Sequence, residues 1–322
     1  MINPSKKIMK ITYALATLFT LLFILTITVF SPAGRANKKR HIIQLQFIHE
    51  ADISNIDIIT IQHGDSAIIL SRSDNMWLLA NQNDVNDKIP AEVQKLKSFF
   101  ILLASKHAMA KAGNTADKDN SYGLDTEKGT TITLYKNGIA YQSLNFGALN
   151  FSQTQRYFSS QELKSVFLAG QEFDAFLSTS VTAWADPYII STQLLNDVFS
   201  MGLAQTADFY DYKKNQHTTL TSSDKEENKS IQKLFDLRHG GFALDLQNQS
   251  ANDQQNIVLA VKIQMGDKSQ INLDISEHPT IENEYIVFTT FNSERLEKSF
   301  SYKTQISTWT YSKISEMMLN TK

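Results

Sequence analysis

Histidine is the residue type most often used for catalysis and metal binding near neutral pH, and this chain has seven. None falls at the helical spacing that two histidine ligands of zinc require, and no H-E-x-x-H motif occurs. The chain has no cysteine, which excludes disulfides, thiolate nucleophiles and cysteine-based zinc sites. The sequence therefore predicts neither a metal site nor a cofactor. The histidines are His41, His49, His63, His107, His217, His239 and His278.

Two short polar motifs resemble parts of active sites. Ser222–Lys225 is a literal S-x-x-K, as in some acyl-transfer enzymes, but the overlapping capping pattern Ser223–Glu226 favours the start of a helix. The run Arg238–Gly241 favours a turn into a strand at Phe242, with anion or substrate binding as the alternative. No phosphate-binding loop or nucleophile elbow is present. The sequence therefore predicts a protein that is not an enzyme.

Four side chains with oxygen atoms alternate like the start of a calcium-binding loop, at Asp117, Asp119, Ser121 and Asp125. An EF-hand loop requires glycine at its sixth position and glutamate at its twelfth. This chain has Tyr122 and Lys128 at those positions. The spacing therefore favours a structural role for the segment over calcium binding.

A long apolar run near the start of the chain predicts how the rest is positioned. Ile11–Phe30 reads ITYALATLFTLLFILTITVF and contains no charged residue. About 20 apolar residues are enough to cross a bilayer as one helix. A cleaved signal peptide is the alternative, with a cleavage site at Ser31–Ala33. The length of the run favours an uncleaved anchor in the lipid bilayer.

The charges that flank this run do not decide its orientation, because lysine and arginine are nearly balanced on its two sides. We nevertheless expect the large domain outside, since exported signal-anchored proteins also begin with a short basic tail. The sequence thus predicts a single-pass protein of the cytoplasmic membrane with an extracytoplasmic domain. The flanking charges are Lys6, Lys7 and Lys10 before the run and Arg35, Lys38, Lys39 and Arg40 after it.

The composition is that of a folded protein. Hydrophobic residues make up 42% of the chain and charged residues 20%, close to globular averages. The net charge of −2 provides no field for nucleic-acid binding. Because the length beyond the anchor exceeds one typical domain, two units are expected. The predicted divisions are a basic tail (1–10), the anchor (11–30), a basic juxtamembrane segment with a first strand (31–50) and two α+β units (51–191 and 192–322).

The first half has the pattern of short strands around one helix. His63–Asp65 and Asn137-Gly138 are turn signals between β-branched runs. A helix is predicted from Pro90, because one apolar stripe follows it at helical spacing. The stripe consists of Val93, Leu96, Phe99, Phe100 and Leu103. Strands are predicted at 57–62, 66–71, 76–80, 130–135, 140–146, 156–159 and 165–168, with a loop at 112–120.

The second half repeats this plan, which indicates an internal duplication. A helix is predicted from Ser223 to about residue 236. Leu144–Phe146 and Leu273–Ile275 each close a strand, and Tyr157 and Tyr285 each open the next. The predicted fold class is α+β, with an N-terminal transmembrane helix followed by two similar antiparallel-sheet units, each with about one packed helix. The later strands are predicted at 242–246, 257–265, 270–275 and 285–290, with a polar loop or helix entry at 212–229.

Nine residues between Ile53 and Ser191 lie in short motifs, and they are Trp77, Tyr122, Gly123, Leu124, Asp125, Gly147, Tyr157, Trp184 and Asp186. The motifs are a tryptophan strand, a Tyr-Gly-Leu-Asp segment, a strand ending in glycine, a tyrosine strand and a closing Trp-x-Asp element. In this order they resemble the bacterial family of domains of unknown function numbered 4340. The resemblance implies a membrane-anchored extracytoplasmic protein that accompanies ABC transporters of the gliding-motility type and has no known catalytic residues.

The Tyr122–Asp125 segment has a sufficient structural explanation. Gly123 permits a positive φ, Tyr122 and Leu124 can fill the sheet edge, and the Asp125 side chain can cap a turn. We therefore favour a structural role over ligand binding. The proline that usually follows Leu-Asp in the family is replaced by Thr126.

These observations predict a non-catalytic, single-pass auxiliary protein of an envelope complex, with an ABC permease and its ATPase as partners. One alternative is a module that binds envelope glycans or lipids through an exposed aromatic groove. A second is an envelope hydrolase whose site is assembled from distant residues around His239. The groove would consist of Trp77, Tyr122, Tyr157 and Trp184.

Overall fold

The fold is mostly β-structure, with 51% of the described residues in strands. The computed structural model describes residues 17–23, 42–73, 76–82, 84–114, 120–125, 127–160, 163, 165–194, 203–242, 256–293 and 298–318. These residues contain two antiparallel sheets, one of ten strands and one of seven. Their buried apolar side chains form one contiguous cluster.

The first sheet contains strands β1 to β10, in the spatial order β1-β6-β10-β9-β8-β7-β2-β3-β4-β5. Helix α1 (Val93–Ala104) connects β5 to β6. The strands are β1 (Ile42–Leu45), β2 (Ile56–His63), β3 (Ser66–Ser73), β4 (Met76–Asn81), β5 (Asp84–Pro90), β6 (His107–Asn114), β7 (Thr130–Lys136), β8 (Ile139–Leu149), β9 (Gln155–Ser160) and β10 (Ser165–Gly170).

The second sheet contains strands β11 to β17, in the spatial order β12-β11-β14-β15-β16-β17-β13. Helix α2 (Lys225–Phe235) follows β12, and helix α3 (Thr308–Met317) follows β17. The strands are β11 (Ala204–Asp211), β12 (Gln216–Thr221), β13 (Gly241–Phe242), β14 (Ile257–Met265), β15 (Gln270–Glu277), β16 (Glu284–Ser293) and β17 (Lys298–Ser307).

The two sheets share one seven-strand connectivity. The order β3-β2-β7-β8-β9-β10-β6 in the first corresponds to β12-β11-β14-β15-β16-β17-β13 in the second. In each, a hairpin is followed by a helix, then by the strand at the far edge, then by a four-strand meander. The first sheet adds β4 and β5 beside β3, and β1 beside β6. Leu144 and Leu273, paired in the sequence, lie in the equivalent strands β8 and β15.

The predicted membrane anchor is not supported by the structure. Of Ile11–Phe30 the structure describes only residues 17–23, which are helical, and the rest of the run lies outside the described residues. In the described part of the chain no helix is both long and apolar enough to cross a membrane. The single-pass, membrane-bound localisation and the fold class that included the anchor are therefore wrong.

The rest of the fold-class prediction also needs correction. Among the described residues the second sheet carries two helices rather than one, and strands outnumber helices in both halves. Pro90 ends β5 instead of opening α1, because it pairs with Leu78 and its carbonyl accepts a hydrogen bond from the Asp186 N–H. Helix α1 nevertheless buries most of the predicted stripe, namely Leu96, Phe99, Phe100 and Leu103.

Both predicted hairpin turns are confirmed. β2 and β3 pair antiparallel up to His63 and Ser66, with Gly64 at a φ of 55°. β7 and β8 are joined by Asn137 and Gly138, with φ values of 52° and 74°. Two successive positive φ angles are typical of the type I′ turn that suits strand twist.

Helix α2 explains the S-x-x-K motif as a helix start. The Asp224 carboxylate accepts hydrogen bonds from the N–H groups of Glu226 and Glu227, at 2.9 and 3.0 Å. The capping residue is thus Asp224 rather than Ser223. Lys225 is the first helical residue, which places this motif at a helix terminus.

Candidate functional site

The candidate site lies between the two sheets, in residues 171–194, the first described part of the segment that joins them, and we call these residues the linker. Towards the first sheet, Ala185 forms an antiparallel bridge with Ala91. Towards the second sheet, Tyr188 forms a bridge with Arg238. The linker therefore pairs through its backbone with the residue that follows β5 and with the segment that precedes β13. Two of the predicted motif residues, Trp184 and Asp186, belong to it, and Trp77 lies beside it in β4.

Asp186 is a buried carboxylate, with 1% of its surface exposed. One oxygen, Oδ1, accepts a hydrogen bond from the Tyr188 N–H at 3.1 Å. The other, Oδ2, accepts from the Ser191 hydroxyl at 2.9 Å and from the N–H and hydroxyl of Thr192 at 2.8 and 2.7 Å. Four donors are about as many as a carboxylate can accept. The burial of this charge is therefore compensated within the linker itself.

Gln193 connects the linker to the first sheet through its side-chain amide. Its Oε1 accepts a hydrogen bond from the Trp77 N–H at 2.7 Å. Its Nε2 donates to the carbonyl oxygens of Trp77 and Ala91, at 2.7 and 2.9 Å. Gln193 is itself buried, so it satisfies backbone groups that have no access to water.

Tyr302 connects the linker to the second sheet. Its hydroxyl donates to the Ile189 carbonyl at 2.6 Å and accepts from the Ser191 N–H at 2.9 Å. Thr289 of β16 also donates to the Ile189 carbonyl, at 3.3 Å. Burial raises the pKa of Tyr302 above its usual value, so the hydroxyl stays protonated and remains a donor. We call Trp77, Asp186, Ser191, Gln193 and Tyr302 the junction network.

His239 borders the junction network without completing a catalytic relay. Its Nε2 lies 2.7 Å from the backbone oxygen of Asp186, and its ring packs edge-on against Phe242. Burial lowers the pKa of His239, and the contact with the Asp186 backbone only partly offsets this. The Ser191 hydroxyl donates to the Asp186 carboxylate rather than to His239. A nucleophile–base pair of the kind used in acyl transfer is therefore not assembled from these residues.

The two tryptophans of the expected aromatic groove lie in the interior. Trp184 is completely buried, and its Nε1 donates to the Ser178 carbonyl at 2.9 Å. Lys95 lies over its ring at 4.6 Å and donates to the Ala183 carbonyl at 2.6 Å. Trp77 is 9% exposed. These two side chains are therefore part of the core and do not line an open surface.

The remaining motif residues form a second cluster, at β8 and β9 of the first sheet. The rings of Tyr122 and Tyr157 are 4.7 Å apart. Gly123 has a φ of 59°, as expected from the sequence. A Cβ atom on Gly147 would lie 2.2 Å from the Tyr122 carbonyl oxygen, so only glycine permits this close approach. The Leu124 carbonyl accepts a hydrogen bond from Asn145 at 2.7 Å.

Asp125 ends this second cluster as a turn cap. Its Oδ1 accepts hydrogen bonds from the N–H groups of Glu127 and Lys128, at 3.1 and 2.8 Å. The other two aspartates of the calcium-like pattern, Asp117 and Asp119, lie outside the described residues. Across the part of the chain that the structure describes, no group of three or more histidine, aspartate or glutamate side chains is arranged to hold a metal ion.

Most of the junction network was not predicted from the sequence. Trp77 and Asp186 lie in the predicted motifs, whereas Ser191, Gln193 and Tyr302 do not. A signal was present, because the polar run Ser191–Gln193 stands between two apolar pairs, Ile189-Ile190 and Leu194-Leu195. Polar residues inside an apolar run are often buried, hydrogen-bonded groups.

Comparison with known proteins gave no relative of this chain. No protein-family model, no curated protein and no solved structure matches it. The resemblance to the family of domains of unknown function therefore stays a prediction.

Proposed function

We propose that this protein is a non-catalytic binding component of a larger protein complex. The supporting observation is that four hydrogen bonds from the linker occupy the carboxylate of Asp186. An acid or base in catalysis needs a free position from which to reach a substrate. The polar groups of the junction network instead hold the two sheets to one linker. Such an arrangement suits a rigid protein to which other proteins bind.

The partners that we propose come from the sequence resemblance alone. They are the permease and ATPase subunits of an ABC transporter.

Copurification tests the binding role most directly. The full-length tagged chain is isolated from its native cells in mild detergent, and the proteins that accompany it are quantified by mass spectrometry. We expect one or more partners in a constant ratio to the chain. Recovery of the chain alone, in a preparation in which other complexes survive, would contradict the proposal.

An activity assay tests the non-catalytic part of the proposal. The purified chain is incubated with ester, phosphoester and glycoside substrates, alongside His239→Gln and the matched surface variant His49→Gln. We expect the same background rate from all three proteins. Turnover that is lost in His239→Gln but kept in His49→Gln would identify His239 as a catalytic residue and overturn the proposal.

A further inference from the structure

The two sheets differ at one pair of equivalent edges. In the first sheet, β4 and β5 extend the sheet beyond β3. In the second sheet, β12 occupies the position of β3, and among the described residues it pairs only with β11. The first sheet thus shows that this edge of the shared pattern accepts further antiparallel strands.

The chain has no segment at this point of the second unit that corresponds to β4 and β5. In the first unit the whole of β4 and β5 lies between β3 and α1. In the second unit only Ser222, Ser223 and Asp224 separate β12 from α2. Three residues are too few to form and connect another strand.

The hydrogen bonds at the end of β12 show which backbone groups face outwards. The Ser222 N–H donates a hydrogen bond to the carbonyl of Gln205 in β11, at 2.8 Å. The Thr221 N–H instead donates to the Glu227 carboxylate at 2.7 Å. Because the groups of an antiparallel strand alternate in direction, His217 and Thr219 point their N–H and C=O groups away from β11.

The side chains of these two residues do not cover the edge. The Thr219 hydroxyl donates to Asp208 of β11, and the His217 ring stacks on Tyr210 at 4.3 Å. β12 contains no lysine, proline or bulge of the kind that usually protects an edge strand. By contrast, β5 ends in Pro90 and β13 has two residues.

We infer that β12 pairs with β12 of a second copy of this chain, in antiparallel orientation about a two-fold axis. One register pairs all the outward N–H and C=O groups of His217 and Thr219 across the two copies. In it, His217 of each copy lies opposite Thr219 of the other, and the two Thr218 residues face each other. This gives four backbone hydrogen bonds and a continuous sheet of fourteen strands, from two sheets of seven.

The chemistry of β12 favours a second copy over an apolar partner strand. β4, at the equivalent edge, is buried along almost its whole length and contains Trp77 and Leu79. β12 instead reads Gln-His-Thr-Thr-Leu-Thr, and its single large apolar residue, Leu220, is already buried. A neutral, threonine-rich strand is well matched by its own copy, since facing threonines stabilise antiparallel pairs.

Single-cysteine crosslinking tests the inference, because the natural chain has no cysteine. In the proposed register the two copies of Thr218 form a non-hydrogen-bonded pair, with Cα atoms about 4.5 Å apart, within the range of a disulfide. We expect Thr218→Cys in the full chain to give a disulfide-linked dimer under mild oxidation. Ser301→Cys, an exposed position on β17, serves as the matched control and should give no disulfide-linked dimer.

Sedimentation velocity of the unmodified chain provides an independent readout. We expect the mass to double as concentration rises, and expect Thr219→Pro and Thr219→Lys to remain monomeric with unchanged circular dichroism. A monomer at every concentration, or a dimer that persists in folded Thr219 variants, would overturn the inference. Equal crosslinking of Thr218→Cys and Ser301→Cys would also overturn it. None of these outcomes bears on copurification with other proteins, so the proposed function is tested separately.

Discussion

The two sheets have the same seven-strand connectivity but meet the linker in different ways. The first sheet is held through backbone groups, since Gln193 binds the N–H and carbonyl of Trp77 and the carbonyl of Ala91. The second sheet contributes side chains, the hydroxyls of Tyr302 and Thr289, in addition to the backbone bridge between Tyr188 and Arg238. The added strands β4 and β5 explain this difference, because they provide the backbone that Gln193 binds.

The same added strands cover the outer side of β3 in the first sheet, whereas the outer side of the equivalent strand β12 is open among the described residues. One insertion thus covers an edge and also builds half of the junction. The lesson is that two units with the same strand order differ at their edges, while their central strands keep the shared order. Variants on either side of the junction test this comparison.

The largest effect is expected for Asp186→Asn in the linker. The asparagine NH₂ group is a donor, and it would face the N–H and hydroxyl groups that donate to Asp186 in the natural protein. The substitution also removes the negative charge that strengthens those hydrogen bonds. We expect the free energy of unfolding to fall by about 3 kcal/mol, measured by denaturant unfolding. Asp125→Asn is the matched control, and its two backbone hydrogen bonds at a less buried turn predict a loss of about 1 kcal/mol. Equal losses would show that the linker carboxylate has no special role.

A smaller loss is expected for Gln193→Leu, which acts on the first-sheet side of the junction. Leucine fills a similar volume but leaves the Trp77 N–H and the Ala91 carbonyl without their partner in a buried place. We expect a loss of about 2 kcal/mol in the free energy of unfolding. Gln94→Leu, on the exposed face of α1, should be nearly neutral in the same denaturation experiment. A stabilised Gln193→Leu protein would contradict the role assigned to the amide.

On the second-sheet side, Tyr302→Phe removes one hydroxyl and keeps the ring. The Ser191 N–H loses its acceptor, and the Ile189 carbonyl keeps only Thr289. We expect a loss of about 1 kcal/mol, read from the denaturation midpoint. The Tyr141 hydroxyl donates a hydrogen bond to Asp52 at the surface. Tyr141→Phe should therefore lower the free energy of unfolding by less than Tyr302→Phe does. The reverse order would mean that the second sheet does not depend on this contact.

The smallest effect is a pH dependence that arises from His239. Its folded-state pKa lies below the unfolded value, so the unfolded chain binds the proton more readily. The resulting loss of stability is absent above an unfolded pKa of about 6.5 and grows as the pH falls below it. The free energy of unfolding should therefore decrease less steeply between about pH 7 and about pH 5 in His239→Gln than in His49→Gln. Identical slopes would contradict this assignment.

The central strands were predictable from sequence because they have strong local signals. Runs such as Ile257–Met265 alternate between the core and the outer face, and turns such as Asn137-Gly138 require φ angles that few other pairs adopt. β12 gave no such signal. It is an edge strand with one large apolar residue, and its pairing with β11 rather than burial holds it in place. Its residues were therefore predicted as a polar loop.

The junction was only partly predictable, because its members come from distant parts of the chain. Asp186 makes its hydrogen bonds within six residues, and its motif was visible in the sequence. Tyr302 and Gln193 act across more than 100 residues, so no local pattern identifies their partners. The membrane anchor failed for a different reason. Hydropathy measures only apolar composition, and in the described part of the chain no helix is long and apolar enough to cross a membrane.

The central claim is that the linker joins the two sheets into one cooperative unit. Native-state hydrogen exchange, followed by mass spectrometry on peptides from β7 and β14, measures the opening free energy of each sheet separately. We predict equal values in the natural protein and unequal values in Asp186→Asn. Unequal opening energies in the natural protein, left unchanged by Asp186→Asn, would contradict the claim.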